Sequence, residues 1–510
     1  MPLTEPTTED TLREDTPAAP ETAHSVKTRA ISGVKVLAAR TLISVLLRVV
    51  SSLSLAHLLF PRDYGLFGVA AYLTGLGLML SDVGLGGALI RQNEKPTANE
   101  TFTVFWTQQA ITAVLVAGVI AASPWLAHAY HLSSAAALLL SAMAVGLFFS
   151  SLRVVPMMAL ERDLKYPTIA RCELIENLVQ TGSTIVLALL GCGAWALAGG
   201  GLLRGIVGLA CVWAASPWRP HGRFEFAIVR RLAKFGIAFQ LNALAPSLLG
   251  GWMPLVVSRI LGVAAVGLVG WAINIASVPM MLNGVLNRVA FPAYSRLQSD
   301  PEALANYLRA SVRRLNALLC LVVPVFVIIC PAFIPLIFGH RWMPAIILVQ
   351  WFSLEIVLLT INSMLCATQN AAGFAADRLW VAIGTGILRA SLGWAAIAHF
   401  GLAGLGPAVC IATAIELVIS TWAVVYRHPH LLVIWPEVFR PLLLSGGILA
   451  LAEATTLLLP GDAAWMQCLL VLGVFLFLTA LQDALSRQRL IATELRGLLR
   501  MLRPASGGAS

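Results

Sequence analysis

The sequence predicts an all-α polytopic membrane protein with about fourteen transmembrane helices. We expect two parallel-repeat six-helix lobes around a central cavity, followed by two appended helices. Composition, long apolar runs and an internal repeat predict this fold. Of the 510 residues, 58% are hydrophobic and only 12% are charged, and the mean hydropathy is +0.82. This small number of polar groups cannot cover the surface of a soluble domain. The predicted environment is therefore a lipid bilayer.

Apolar runs of the length needed to cross a hydrocarbon layer of roughly 30 Å mark the helices. We place them near residues 36–59, 66–90, 102–122, 134–155, 172–192, 194–214, 235–257, 263–286, 315–338, 343–366, 379–399, 402–426, 438–459 and 464–484. Residues 1–30 precede them and are rich in Thr, Pro and acidic residues, without the apolar segment of a signal peptide. This composition predicts a disordered cytoplasmic tail.

The distribution of Lys and Arg predicts the orientation of the helices. On one side of the predicted bundle, the connections hold three of the 35 Lys and Arg residues, namely Arg62, Arg259 and Arg341. Because cationic loops resist translocation, this side is predicted to be external and both termini cytoplasmic. This bias and anionic lipid also account for the net charge of +10, so we expect no nucleic-acid partner.

A sequence repeat divides the chain into two lobes. Leu59–Ala70 (LFPRDYGLFGVA) recurs in weakened form at Leu261–Ala272 (LGVAAVGLVGWA), at an offset of 202 that pairs Gly65 with Gly267. The repeated unit contains six helices, and an even number places both copies in the same orientation. Parallel repeats of this kind are typical of secondary transporters.

A second, weaker repeat supports the duplication, because GAWALA from Gly193 resembles GLAGLG from Gly401 at an offset of 208. The chain is therefore predicted to comprise five segments. They are the tail (1–30), an N-lobe (31–217), a C-lobe (218–430), two appended helices (431–486) and a basic cytoplasmic C-terminal tail (487–510).

Charged residues inside predicted helices are candidates for function. A charge at the centre of a helix costs about 2.5–3.5 kcal/mol on insertion scales and persists mainly beside a cavity or a partner. The candidate substrate-binding cations of the cavity are Arg48, Arg204, Arg389 and Arg40. The candidate charge-pairing or coupling carboxylates are Asp82, Glu355 and Glu416. Cavity lining and structural pairing are open alternatives for these residues, and the predicted depth of Asp82 allows it to neutralise Arg40 or Arg48.

Two further patterns involve basic residues. Arg204 lies in the glycine-rich run GGGLLRGIVG, where the GxxxG spacing of Gly201 and Gly205 predicts close helix packing, although a guanidinium there could equally face water in a lumen. At the repeat corner, His57 occupies the position of Arg259. One lobe therefore has a titratable group where the other has a permanent cation.

The sequence argues against catalysis by this chain. The predicted external connections are too short for a catalytic domain, and there is no Gly-Lys-Ser/Thr phosphate loop, HExxH motif or complete GxGxxG motif. The eight cysteines include no CxxC pair and are predicted to be thiols within helices. We therefore expect no enzyme activity, no cofactor and no metal site.

The run from Ser54 to Gln92 resembles the first hairpin of the Wzx-type polysaccharide flippases, within the multidrug/oligosaccharidyl-lipid/polysaccharide exporter superfamily. The family pattern is an apolar helix with a basic residue, a Pro–acidic–aromatic–Gly turn, and an Asp–Leu/Val–Gly–Leu stretch. The matching residues are Pro61, Asp63, Tyr64, Gly65, Asp82, Gly84 and Leu85. The chain departs from the pattern at His57, where the family usually has Arg.

The resemblance implies translocation of a polyprenyl-diphosphate-linked oligosaccharide across the bacterial inner membrane by alternating access, for assembly of exopolysaccharide, capsule or O-antigen. Arg side chains suit this substrate because the guanidinium donates forked hydrogen bonds to phosphate oxygens. The implied partners are membrane lipid, a glycan polymerase and glycosyltransferases, and a coupling ion, H⁺ or Na⁺, stays open. Two alternatives are a cation-coupled small-molecule antiporter of the same superfamily and a membrane enzyme of glycan assembly.

Overall fold

A computed structural model provides the structure of the chain. It describes residues 43–44, 46–82, 89, 96–130, 134–163, 165–232, 248, 250–277, 301–371, 375–427, 435–458 and 464–485.

The N-lobe helices begin and end at local sequence signals. At the start of α2, Pro61 occupies the first helical position, which suits its fixed φ, and the Asp63 carboxylate accepts a hydrogen bond from the Phe60 amide at 2.9 Å. The helices are α1 (Leu46–Leu58), α2 (Pro61–Asp82), α3 (Ala98–Ala129), α4 (Ser134–Leu152), α5 (Val154–Arg162), α6 (Tyr166–Leu189) and α7 (Ala194–Ala215).

The C-lobe follows a short helix, α8 (226–232), in the connection between the lobes. Its helices are α9 (Trp252–Leu261), α10 (Val263–Ala276), α11 (Pro301–Phe338), α12 (Ile346–Ala371) and α13 (Ala375–Arg427), with a 3-10 segment (His340–Ala345) before α12. Gly401 has a φ of +62° and breaks α13 into a first limb (375–400) and a second limb (402–427). The appended helices are α14 (Trp435–Leu458) and α15 (Ala464–Leu485).

The structure confirms the predicted fold class. Each of the fourteen predicted helices coincides with helical residues in the described part of the chain, and the two predicted helices joined at Gly401 are the two limbs of α13. Among the described helices, seven are long and apolar enough to cross a membrane. Nothing but helices and their connections occurs in the described ranges, so the chain is all-α there.

Five helices begin four or more residues earlier than predicted: α2 at Pro61, α3 at Ala98, α6 at Tyr166, α11 at Pro301 and α13 at Ala375. The start of α3 is a capping box, in which Thr97 Oγ1 accepts from the Glu100 amide at 3.2 Å and Glu100 Oε2 accepts from the Thr97 amide at 2.8 Å. Such polar first turns carry a helix beyond its apolar run, and hydropathy alone cannot find them.

Short connections at residues 59–60, 190–193, 262 and 339–345 lie at one end of the bundle, which we call the hairpin end. Two contacts between connections show that they lie at the same end. A Cβ at Gly193 would lie 2.8 Å from Asp63 Oδ1, and Arg341 Nη1 donates to the Leu59 carbonyl at 3.2 Å. The hairpin end is the end for which the sequence predicts an external position.

The two copies of the sequence repeat pack against each other at the hairpin end. A Cβ at Gly65 would overlap the carbonyl oxygen of Val263, and a Cβ at Gly267 would overlap that of Pro61. Both contacts follow the offset of 202, so α2 and α10 meet in a reciprocal, two-fold manner. In the described part of the chain this is the most extensive contact between helices of different lobes. The repeated glycines therefore hold the lobes together, backbone against backbone.

The C-lobe also caps the end of α1. Trp342 Nε1 donates to the Ala56 carbonyl at 2.9 Å, next to the Arg341 contact with the Leu59 carbonyl. The last carbonyls of a helix lack partners within the helix, and here the other lobe supplies them. Trp342 is fully buried and stacks on the buried Trp271 at a ring-centroid distance of 4.5 Å. The lobes are thus closed against each other at the hairpin end.

The appended helices pack on the C-lobe through α11. A core of buried apolar residues from α11, α12, α14 and α15 includes Leu319, Val438 and Phe475. Asn316 Nδ2 donates to the carbonyls of Glu437 and Val438 at 2.9 and 3.0 Å, which satisfies this buried amide at the start of α14.

Candidate functional site: buried charge networks in both lobes

The N-lobe contains a network of two arginines and one glutamate, which we call the N-lobe network: Arg153, Glu176 and Arg204. Arg153 lies at the break between α4 and α5, with its Nη1 3.0 Å from Glu176 Oε1. Arg204, on α7, places its Nε 3.4 Å from Glu176 Oε2 and donates from Nη1 to Gln180 Oε1 at 3.0 Å. The Glu176 side chain is completely buried, whereas that of Arg204 is 43% exposed.

Glycine on α7 makes room for this network. A Cβ at Gly208 would lie 2.6 Å from both Arg153 Nη1 and Glu176 Oε1, and a Cβ at Gly200 would overlap Thr184 Oγ1 on α6. The predicted packing pair is different: a Cβ at Gly201 would meet nothing within 4 Å, and one at Gly205 would only touch Phe149 at 4.0 Å. The packing interpretation of Gly201 and Gly205 is therefore wrong, because the face of α7 toward α6 carries Gly200 and Gly208.

The N-lobe network has a net charge of +1, because one carboxylate faces two guanidinium groups. Sequence reasoning identified Arg204 but missed Arg153 and Glu176. It missed Glu176 because the apolar run predicted a helix from residue 172, which places Glu176 near the membrane edge. The helix begins at Tyr166, so Glu176 lies almost three turns inside it. Tyr166-Pro167 before the run was the available signal, since Pro favours the first turn of a helix.

The C-lobe contains a network of opposite composition, which we call the C-lobe network: Glu355 on α12 with Arg389 and Glu416 on the two limbs of α13. Arg389 Nη1 lies 3.3 Å from Glu355 Oε1, and Nη2 lies 3.1 Å from Glu416 Oε2. The exposed fractions of the Glu355, Glu416 and Arg389 side chains are 9%, 20% and 23%. The structure therefore brings together three of the residues that the sequence singled out.

Neutral side chains complete the C-lobe network. Arg389 Nη2 donates to Thr413 Oγ1 at 2.7 Å, and this hydroxyl lies 2.9 Å from both Glu355 Oε1 and the Val409 carbonyl oxygen. Asn362 Nδ2 donates to Glu416 Oε1 at 2.9 Å. Two carboxylates share one guanidinium, so the net charge is −1 with both carboxylates ionised. In the described residues, no three His, Cys, Asp or Glu side chains come together as metal ligands would.

The other predicted site residues lie apart from these networks. Arg48 is exposed on α1, and it forms no ion pair within the described ranges. His57 and Arg259 are exposed in the last turns of α1 and α9, and Arg259 has a partner. Arg40 lies outside the described residues, as does the side chain of Asp82, whose backbone ends α2.

Two lobes of apolar helices, each with a buried charge network, define a polytopic membrane protein of the transporter type. The chain belongs to the family described as "Polysaccharide biosynthesis protein", whose model matches residues 54–347. The match begins at Ser54, where the resemblance to the polysaccharide flippases also begins, and it confirms that prediction.

Two characterised relatives carry names from the same area of biology. The chain is 28% identical to the lipopolysaccharide biosynthesis protein WzxC of Escherichia coli (strain K12), over 62% of this chain and 65% of that protein. It is 26% identical to the succinoglycan biosynthesis transport protein ExoT of Rhizobium meliloti (strain 1021), over 72% of this chain and 75% of that protein. The alignments thus span about two thirds to three quarters of these relatives.

Solved structures share the fold at low sequence identity. The lipid II flippase MurJ in an inward closed conformation superposes with a TM-score of 0.70 at 14% identity, over 88% of this chain and 98% of that one. An inward-facing multidrug resistance MATE family transporter of the MOP superfamily has a TM-score of 0.61 at 15% identity, over 78% of this chain and 98% of that one. These likenesses show the fold.

Proposed function

We propose that the chain is a flippase that moves a polyprenyl-diphosphate-linked oligosaccharide from the inner to the outer leaflet of the bacterial inner membrane. Family membership supports this class of substrate, and the names of WzxC and ExoT agree with it. The observation that carries the proposal is the net positive N-lobe network, in which the half-exposed Arg204 can reach a ligand. A diphosphate in a low-dielectric site needs such cations, and Arg matches its oxygens well.

The substrate site in this proposal consists of Arg204 and Arg48, with Arg40 contributing from the same lobe. Arg389 contributes less to an anion site, because Glu355 and Glu416 offset its charge. Arg204 keeps its position through Glu176 and Gln180 while its exposed portion is available to phosphate oxygens. The sugar would occupy the space between the lobes, and the prenyl chain would stay in lipid.

Alternating access would work through the hairpin end. With both termini in the cytoplasm, as the charge distribution predicts, the hairpin end faces outward. The closed contact between α2 and α10 is then the outer barrier, and substrate would enter from the inner side. Separation of Gly65 from Val263 and of Gly267 from Pro61 would open this barrier and release the oligosaccharide outside. The protein partners would be the glycosyltransferases that assemble the oligosaccharide and a glycan polymerase that receives it.

A transporter is favoured over a glycan-assembling enzyme by the shortness of the connections at the hairpin end. The described ones, at 59–60, 190–193, 262 and 339–345, leave little room to position a sugar and a catalytic base outside the membrane. A cation-coupled antiporter of small molecules is the second candidate, and the net negative C-lobe network favours it. Reconstituted vesicles separate the two functions, because a labelled lipid-linked oligosaccharide tests one and a fluorescent organic cation tests the other.

Arg204→Ala and Arg48→Ala are expected to abolish flipping while the protein still folds. Arg153 continues to neutralise Glu176 in the first variant, and Arg48 has no ion pair to lose among the described residues. Flipping is measured in vesicles as the appearance of a labelled polyprenyl-diphosphate oligosaccharide in the outer leaflet, and in cells as surface polysaccharide. Arg230→Ala, which removes an exposed arginine of α8, is the matched control. Undiminished flipping by both cavity variants would refute this assignment.

A further inference from the structure

The two charge networks are built on corresponding helix pairs with their charges exchanged. The turns at Gly193 and Gly401 both have positive φ, +56° and +62°. The similarity of GAWALA to GLAGLG aligns these two glycines at an offset of 208. At this offset Glu416 occupies the position of Gly208. The N-lobe has its carboxylate on the first helix of the pair and its arginine on the second, whereas the C-lobe has the reverse.

Because of this exchange, the two networks suit ligands of opposite charge. The N-lobe network has one positive charge in excess and suits an anion, which the proposed function supplies as a diphosphate. The C-lobe network has one negative charge in excess, from carboxylates that are mostly buried. An uncompensated charge inside a low-dielectric region is costly, and binding a single positive charge removes the excess.

We propose that the C-lobe network is a proton-binding site, in which Glu355 takes up the proton and Thr413 adjusts its hydrogen bonds to both states of the carboxyl group. The coupling of this proton to transport rests on the proposed function, but proton binding itself does not.

The hydrogen-bond geometry accommodates either state. A hydroxyl can donate once and accept twice. When Glu355 is ionised, the Thr413 hydroxyl donates to Glu355 Oε1 at 2.9 Å. When Glu355 Oε1 carries a proton, the carboxylic acid donates to Thr413 Oγ1, and the Thr413 hydroxyl turns to the Val409 carbonyl oxygen, also at 2.9 Å. Arg389 donates to Thr413 Oγ1 in both states. A rotation of one hydroxyl therefore suffices, and no side chain has to move.

Arg389 favours a proton over a metal cation. Its guanidinium lies within 3.3 Å of Glu355 and 3.1 Å of Glu416 and so occupies the space between the carboxylates. Hard metal cations require several oxygen ligands around them, and a positively charged group already fills that position. A proton needs only the lone pair of one carboxylate oxygen.

The surroundings of Glu355 contain few other charges. From α13 it faces Arg389, Thr413 and Glu416, with the Cys410 thiol nearby. The sequence of α10, VAAVGLVGWAINIA, has no titratable side chain. On α11, Arg314 is the charged residue closest in depth, yet it lies about 36 Å from the hairpin end, compared with about 14 Å for Glu355. The protonation of Glu355 therefore depends mainly on the C-lobe network itself.

Infrared difference spectroscopy of the purified full chain in lipid nanodiscs tests the proposal without any transported substrate. We expect a carboxylic-acid C=O band that appears as the pH falls and is lost in Glu355→Gln. Glu437→Gln is the matched control, because Glu437 pairs with Arg309 at the start of α14, outside both networks. The same band in wild type and Glu355→Gln would overturn the assignment. A normal melting profile shows that Glu355→Gln is folded.

Two further measurements keep the proposal falsifiable. Thr413→Val removes one hydrogen bond from each state of Glu355, but the bond donated to the ionised carboxylate is charge-assisted and therefore the stronger one, so we expect the midpoint of the titration to rise by about one pH unit. An unchanged midpoint would contradict the role of Thr413. Replacing potassium by sodium at constant ionic strength should leave the midpoint unchanged, whereas a sodium-dependent shift would overturn the proton assignment in favour of a sodium site. If the wild-type protein titrated as expected but did not flip the lipid-linked oligosaccharide, the proposed function would be refuted and the proton-binding site would stand.

Discussion

Gly65→Ala and Gly267→Ala are each expected to prevent closure of the hairpin end and to reduce transport at least severalfold. The added methyl would overlap the Val263 or Pro61 carbonyl oxygen. A backbone carbonyl within a helix cannot rotate away from the methyl, as a flexible side chain could. Overpacking of this kind costs about 1–3 kcal/mol, which shifts an equilibrium between closed and open states by roughly 5- to 150-fold. Spin labels on α2 and α10 should report a longer distance between the lobes, and flipping assays should report the loss.

The repeat itself supplies the matched controls. A Cβ at Gly68 would make an ordinary contact with Val266 at 3.6 Å, and a Cβ at Gly270 would meet nothing within 4 Å. Gly68→Ala and Gly270→Ala make the same chemical change and give the same gain in helix propensity, so they should leave the spin-label distance and the transport rate close to wild type. An equal effect of all four substitutions would contradict the backbone contact as the cause.

Glu176→Ala is expected to destabilise the N-lobe by about 3 kcal/mol, the lower part of the range for breaking a buried ion pair. The substitution leaves Arg153 and Arg204 facing each other without a counter-ion, next to a cavity on the Gly208 face of α7. Glu176→Gln should destabilise less, because the amide oxygen still accepts from either guanidinium. The fraction of monomer that survives heating in detergent, measured by size-exclusion chromatography, gives the comparison.

Glu437→Ala serves as the stability control. Its ion pair with Arg309 is 2.9 Å long and only partly buried, since the side chains of Arg309 and Glu437 are 40% and 15% exposed, whereas that of Glu176 is completely buried. Water reaches both partners of this pair, and solvated pairs contribute about 0–1 kcal/mol, so this variant should melt closer to wild type than Glu176→Ala does. If Glu176→Ala melted like Glu437→Ala, the N-lobe network would not be a structural element, and the arginines there would have to be satisfied by water.

The positions of the helices were largely predictable, because each depends on a contiguous apolar run and on local signals. The predicted helices 172–192 and 194–214 leave only residue 193 between them, and Gly193 indeed has a φ of +56° immediately before α7. The early starts of α3, α6 and α11 were not predictable from hydropathy. The first turn of α3 is stabilised by its capping box, and α6 begins with Pro167 in its first turn, and neither signal contributes to an apolar run.

The candidate site was only partly predictable. Arg204, Arg389, Glu355 and Glu416 were identified because charge within an apolar run is conspicuous. Their grouping was not, since Arg389 contacts Glu355 and Glu416 across large separations in the chain. Whether Arg48 and Arg204 bind substrate stays a prediction for the flipping assay.

Composition and long apolar runs, read along the chain, were enough to establish an all-helical membrane protein, because bilayer insertion selects each helix by its own residues. The repeat established that two copies exist. How the copies meet depended on tertiary contacts: Gly65 and Gly267 are equivalent in the sequence, but the backbone contacts with Val263 and Pro61 arise only when α2 packs on α10. The opposite charges of the two networks likewise emerge from which side chains share one buried space, a property of packing that no single helix contains.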